Sequence, residues 1–200
     1  MEMVHMDKRY VEYPLADFCK EVARPAILSP SGGAVIGVVG AMLASLAELV
    51  ARVSEHHSVP GMSEEWRGMA DEFREWTERL LRFADQDVQD AASIIREEED
   101  PVCIRKRVAA PAKIASGLVK VLRLVERIAE QADASVRSDV RAIAHLGRGA
   151  ADAIFEIEQS DIVRGGGDAM LLVRIGEWRE EAHRAANRIL EKARDDQWQN

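Results

Sequence analysis

The sequence predicts an all-α fold, a multi-helix bundle of four to five long helices preceded by a short N-terminal helix. Three observations carry this reading. Ala, Leu, Glu and Arg dominate the chain, and they are strong helix formers. Beta-branched residues are scattered and never form the alternating runs of strands. Apolar residues recur at spacings of three and four over long segments, and short turns rich in Gly and Pro separate those segments.

Residues 13–23, YPLADFCKEVA, read as the short first helix. RPAILSPSGG ends it, because two prolines and two glycines fall within ten residues. A second helix runs from about Ala34 to Val53, and the turn SVPG closes it. Its small residues Gly37, Gly40, Ala41, Ala44 and Ala47 imply close approach of another helix. Ser63 reads as an N-cap for the third helix, with Glu64 and Glu65 favourably placed in its first turn. Trp66, Met69, Phe73, Trp76, Leu80 and Phe83 then form one apolar stripe. The same spacing continues onto Asp87, Asp90 and Ile94, so the stripe keeps its geometry and changes its chemistry.

Pro101 marks a possible start for the next helix, whose face is Val108, Pro111, Ala115, Leu118, Leu122 and Val125. Pro111 inside that pattern predicts a kink or a broken turn. A further helix spans roughly 135–160, with Val136, Val140, Ile143, Gly147, Ala150, Ile154, Ile157 and Asp161 on one face. RGGG at 164–167 separates it from the last helix, where Leu171, Ile175, Trp178, Ala182, Ala185 and Ile189 make a stripe. The chain shows no internal repeat and no low-complexity tract. It reads as a flexible N-terminus over residues 1–12 and a single helical domain over 13–198.

The formal net charge of −8 argues against nucleic acid as a partner. Cys19 and Cys103 fit no disulfide framework and no metal pattern. The N-terminal residues lack a signal-peptide layout, and the longest apolar stretch, Ala34 to Ala47, is about 14 residues against the roughly 20 of a membrane span. A cytoplasmic protein without membrane contact is therefore expected. None of the five histidines sits in an HExxH motif or beside a cysteine pair, so no metal centre is expected. Phosphate-binding motifs of the P-loop and dinucleotide types are absent.

Several residues remain as candidates for chemistry. Ser31-Gly32-Gly33 is either a turn whose open amides hold a carboxylate or phosphate, or a cap on a packed helix. Asp87 and Asp90 either point into a pocket at the end of the bundle or lie where the helix runs out into water. Asp139 either stabilises its helix N-terminus or faces inward, and Ser138 beside it is a possible cap. Asp85 alone reads as a surface residue, and Asp161 as a helix-end residue. Arg24, Arg105, Lys106, Arg107 and Arg137 are cations able to attract an anionic substrate.

The order of four segments resembles the cyclodeaminase and methenyltetrahydrofolate cyclohydrolase family, including the cyclodeaminase domain of formiminotransferase-cyclodeaminase. These are LADFCKEVARPAILSPSGGAVIGVVGAMLASLAELV, FADQDVQDAASII, RVAAPAKIASGLVKV and VRSDVRAIAHL, spread over roughly residues 15–161. Ser31, Gly32, Gly33 and Ala34 occupy the place of the family's glycine-rich segment. Asp85, Asp87 and Val88 are similar to its Asp-x-Asp-Ala element, Pro111 to its helix proline, and Ser138-Asp139 to its Ser-Asp pair. The chain departs from the pattern in two ways. Its glycine run is two residues long, and no Asn precedes Asn187, although two helical asparagines would fall near Ile157 and Asp161.

The resemblance implies an all-helical homodimer acting on a small-molecule substrate, a one-carbon unit on a tetrahydrofolate derivative. The reaction would be hydrolysis of 5,10-methenyltetrahydrofolate to 10-formyltetrahydrofolate, or the related formimino cyclodeamination. It points to Asp87 and Asp139 as the catalytic pair, one acting as base or electrostatic partner while the other orients it. Ser31, Gly32, Gly33, Asp85 and Ser138 would line the folate site. Two other readings stand beside this one: a related enzyme acting on a changed amidine or one-carbon substrate, and a non-catalytic helical interaction module. Convergence of Asp87, Asp139 and residues 31–33 on one pocket would separate the enzymes from the module.

Overall fold

Each periodic segment folds as a helix in the computed structural model, which describes residues 9–26, 29–59, 61–96, 109–165 and 169–194. The helices are α1 (Leu15–Val22), α2 (Gly32–His57), α3 (Ser63–Arg96), α4 (Ala109–Ile128), α5 (Arg137–Gly165) and α6 (Ala169–Lys192). Short 3-10 turns occupy Tyr10–Glu12 and Ala134–Val136, and no strand occurs among the described residues. The all-α class read from the sequence is the observed one.

α2 is the central element. It packs against α3, α4 and α5, while α6 lies on α4 and α5. α2 and α3 run antiparallel: Gly33 lies beside Asp87, Gly37 beside Ala84 and Gly40 beside Leu80. Further along this seam, Glu55 near the end of α2 accepts from Ser63 and Arg67 at the start of α3. α2 and α5 are also antiparallel, since Gly32 meets Ile157 at one end and the Asp133 N–H donates to Ser54 Oγ (3.0 Å) at the other. Asp152 of α5 accepts from Arg179 Nε (2.6 Å) of α6 and pairs with His183 Nε2 (2.8 Å), clasping those two helices.

The predicted stripes are the buried faces. Trp66, Met69, Phe73 and Leu80 of α3 join Ile114, Leu118, Leu122 and Val125 of α4, with Val140, Ile143 and Ile154 of α5, in one core. By length and hydropathy α2 would suffice to cross a membrane, and half of its most apolar window is buried inside the chain. Its place at the centre of the bundle accounts for that composition. Gly61, between α2 and α3, has φ 104°, a left-handed backbone that side chains rarely adopt.

Several local expectations are corrected. Pro111 causes no break among the described residues, where α4 runs as one helix over Ala109–Ile128. The expected start at Pro101 lies outside the described residues. Ser63 does not cap α3; its hydroxyl donates to Glu55 Oε1 (2.9 Å). Residues 10–12 form a 3-10 turn, and Arg9 and Val11 bond to Asp85 of α3.

The α2–α3 seam yields a stability prediction. A Cβ at Gly37 would lie 2.8 Å from Ala84 Cβ and 3.2 Å from its Cα, so a side chain there must push the two helix backbones apart. Gly37→Ala is expected to lower stability in chemical denaturation by about 1–3 kcal/mol despite the better helix propensity of Ala. An unchanged or raised midpoint would contradict this packing.

Candidate functional site

α2 opens with Gly32 and Gly33 in its first turn, where helix amides lack partners within the helix. Ser31 precedes them with an extended backbone (φ −111°, ψ −166°) and makes no side-chain cap. Its carbonyl accepts the Val35 N–H at 3.0 Å, closing the first turn. The cap comes instead from α3, because the Asp87 carboxylate accepts the backbone N–H of Ala34. Gly33 makes this possible: a Cβ there would lie 2.5 Å from Asp87 Oδ1 and 2.7 Å from Oδ2. A Cβ on Gly32 would lie 2.7 Å from Ile157 Cδ1 of α5. The Gly-Gly step is therefore where α3 and α5 both reach the start of α2.

Two effects compete at Asp87. The N–H of Ala34 and the positive end of α2 favour the charged carboxylate. Burial opposes charge and is the larger effect, reinforced by the neighbouring Asp161 and Asp90. Together they raise the group from 3.8 to about 6. Asp90 itself accepts from Gln86 Nε2 (2.7 Å).

α5 contributes a residue that the sequence reading passed over. Glu158 has 0% exposure, and neither of its carboxyl oxygens has a hydrogen-bond partner. Burial, then Asp161 and Asp87, push it up from 4.5 to about 8, so it carries a proton at neutral pH. The signal was present in the sequence. Ile154, Glu158 and Asp161 continue the α5 stripe at steps of four and three, whereas the sequence analysis places Ile157 on that face and does not single out Glu158. In the fold Ile157 is half-buried and Glu158 fully buried.

The other candidates are placed elsewhere. Asp85 is buried at 6% exposure, not a surface residue. It accepts from Arg9 Nε (2.8 Å) and the Val11 N–H (3.3 Å), which ties the N-terminal turn to α3. Ser138 and Asp139 lie in the first turn of α5, while Glu158 and Asp161 lie near its other end. At 1.5 Å per residue this separation is roughly 30 Å. Within one chain, then, Gly33 and Asp87 converge, while Asp139 and Ser138 do not join them. Arg24 is exposed beside Glu21 (3.6 Å). Cys103, Arg105, Lys106 and Arg107 lie outside the described residues. Among the described residues no cluster of three or more His, Cys, Asp or Glu side chains is arranged to hold a metal ion.

A sequence model of the formiminotransferase-cyclodeaminase family matches residues 14–158. The solved structure of a formiminotetrahydrofolate cyclodeaminase from Thermotoga maritima superposes with a TM-score of 0.77, covering 90% of this chain and 96% of the other. The two sequences are 20% identical, so this likeness concerns the fold. No curated protein matches the sequence.

The raised carboxyls make stability depend on pH in a defined direction. A carboxyl whose folded pKa lies above its unfolded value favours the folded state at low pH, and that contribution is lost as pH rises through the folded value. For Glu158 the window runs from about 4.5 to about 8. Glu158→Gln is expected to flatten the decline in stability across that window, by roughly 3–5 kcal/mol at its upper end. Urea denaturation of both proteins at pH 5 and pH 9 measures it, and parallel losses in the two would contradict a buried neutral Glu158.

Proposed function

The chain belongs to the formiminotransferase-cyclodeaminase family, and on that footing we propose that it is an enzyme acting on a one-carbon unit carried by tetrahydrofolate. It either hydrolyses 5,10-methenyltetrahydrofolate to 10-formyltetrahydrofolate or closes the ring of the 5-formimino derivative with release of ammonia. The observation that carries the reading is Asp87, held on the first turn of α2 and titrating at about 6. A carboxylate tuned toward neutrality is suited to general base catalysis. In the hydrolysis it accepts a proton from the water that attacks the amidinium carbon. In the cyclodeamination it accepts the proton of the attacking N10 and returns it to the departing nitrogen as ammonia leaves. Its negative charge also favours the cationic carbon centre. Backbone amides of the Ser31-Gly32-Gly33 turn are suited to a carbonyl of the substrate.

The reading includes a homodimer in the cytoplasm. An isologous pairing that set α5 antiparallel across a two-fold axis would bring Asp139 and Ser138 of one copy toward Asp87 of the other. Leu15, Met42 and Leu49 are large apolar side chains left exposed around a cavity of about 520 Å³, also lined by Tyr10, Phe18 and Leu46. That surface supports self-association.

A second reading, a changed amidine substrate, is favoured by one observation. Where the family resemblance would put asparagines near Ile157 and Asp161, this chain has the acids Glu158 and Asp161.

Purified protein is expected to accelerate the loss of 5,10-methenyltetrahydrofolate absorbance, or its appearance from the 5-formimino compound. Asp87→Asn should lower kcat by about 10²-fold or more with unchanged circular dichroism. Wild-type rates equal to buffer in both assays would sink the folate reading. For the shared site, mixing inactive Asp87→Asn with inactive Asp139→Asn should restore part of the activity, since a mixed dimer keeps one intact site. Full activity in Asp139→Asn alone would remove that residue from the chemistry.

A further inference from the structure

Among the described residues the buried polar side chains are Ser54, which accepts from the Asp133 N–H, and two acids, Asp85 of α3 and Glu158 of α5. Glu158 lies where the ends of α3 and α5 meet the start of α2. There Glu158 is enclosed with two bare carboxyl oxygens. A buried carboxyl group that makes no hydrogen bond costs stability, and the great majority of such groups in folded proteins are satisfied. Here the chain leaves both oxygens unmet, although it satisfies Asp85 with Arg9 and Val11 and Asp87 with Ala34.

The surroundings define what would satisfy Glu158. The carboxylates of Asp87 on α3 and Asp161, one turn along α5, both act on Glu158, which disfavours an anion there and favours N–H donors or a cation. Ile157, adjacent to Glu158 in sequence, is the residue that packs on Gly32. The vacant acceptor therefore lies beside the turn already assigned to the site.

We infer that Glu158 is a ligand-binding residue that takes a planar N–C–N unit presenting two N–H donors, one for each carboxyl oxygen. Pairing of a carboxylate with an amidine-type cation is among the stronger hydrogen-bonded contacts. Binding requires the ionised form of Glu158, so the proton held in the empty site departs to solvent as the N–H donors arrive. No covalent bond changes. The assignment rests on the folate reading only for the source of the unit. Two sources present such a pair: a substrate amidine with N–H on both nitrogens, as in the changed-substrate reading, and the 2-amino and N3–H edge of a folate's pyrimidinone ring; N5 of a formimino folate carries no hydrogen.

Calorimetric titration of the full chain at pH 7, in two buffers of different protonation enthalpy, distinguishes them. Formamidinium carries the first chemistry without the ring, and 5-formyltetrahydrofolate carries the ring without a separate amidine. In the arm that engages Glu158, the wild type should release about one proton per ligand, because a group at about 8 is mostly protonated at pH 7. Glu158→Gln, which keeps the shape of the neutral acid, should bind at least tenfold more weakly in that arm and release none. Equal folate binding by both proteins, with no proton-linked formamidinium binding, would overturn the role of Glu158 and leave the folate reading standing. Proton-linked formamidinium binding without folate binding would do the reverse. Absence of proton-linked binding in both arms would overturn the role of Glu158. Should the variant not fold, the infrared band of the neutral carboxylic acid in the wild type decides: it must vanish on ligand addition, and its persistence at saturation would overturn the assignment.

Discussion

Asp87 on the first turn of α2 is the contact around which the rest of the site is arranged. A helix start needs acceptors for its free amides, and α2 does not supply them from Ser31. α3 supplies one from outside, and its carboxylate reaches the Ala34 N–H because Gly33 offers no side chain. The close approach continues along the seam, with Gly37 on Ala84 and Gly40 on Leu80. Small residues in α2 thus do two things: they bring two helices together, and they carry a charged group to the helix end.

Acidic side chains collect at that end, and Glu158 is buried there. Asp87 and Asp90 come from α3, Glu158 and Asp161 from α5. Mutual repulsion and loss of water work against this grouping, and the upward shifts of Asp87 and Glu158 express the strain in proton affinity. A packed core gains nothing in stability from such an arrangement. Proteins commonly break a local stability rule where binding or chemistry needs the group.

Much of the fold was legible because a 3.6-residue period survives any detail of packing. The stripes on α3, α4 and α5 are the buried faces, and the last helix begins after the glycine run. Pro111 was expected to break its helix, yet the helix continues through it over the described residues. Asp85 was misread as surface because its partners, Arg9 and Val11, are distant in sequence. At the site, the drift of the α3 stripe onto Asp87 was visible, and so was its likeness to a family element. Glu158 was not noticed because Ile157 beside it offered a more conventional apolar position. Asp139 was grouped with Asp87 by family pattern, and pattern carries no distance.

The unbroken length of α5 has a consequence for how the chain tolerates change. One end of the helix meets the Ser54–Asp133 contact and the other meets the acidic group. The span between them is several screening lengths at physiological salt, so charges at one end are electrostatically silent at the other. Substitutions at the two ends should therefore combine additively within a chain. Within one chain, charge changes near His57 and Asp133 then leave the protons held some thirty ångströms away unaltered.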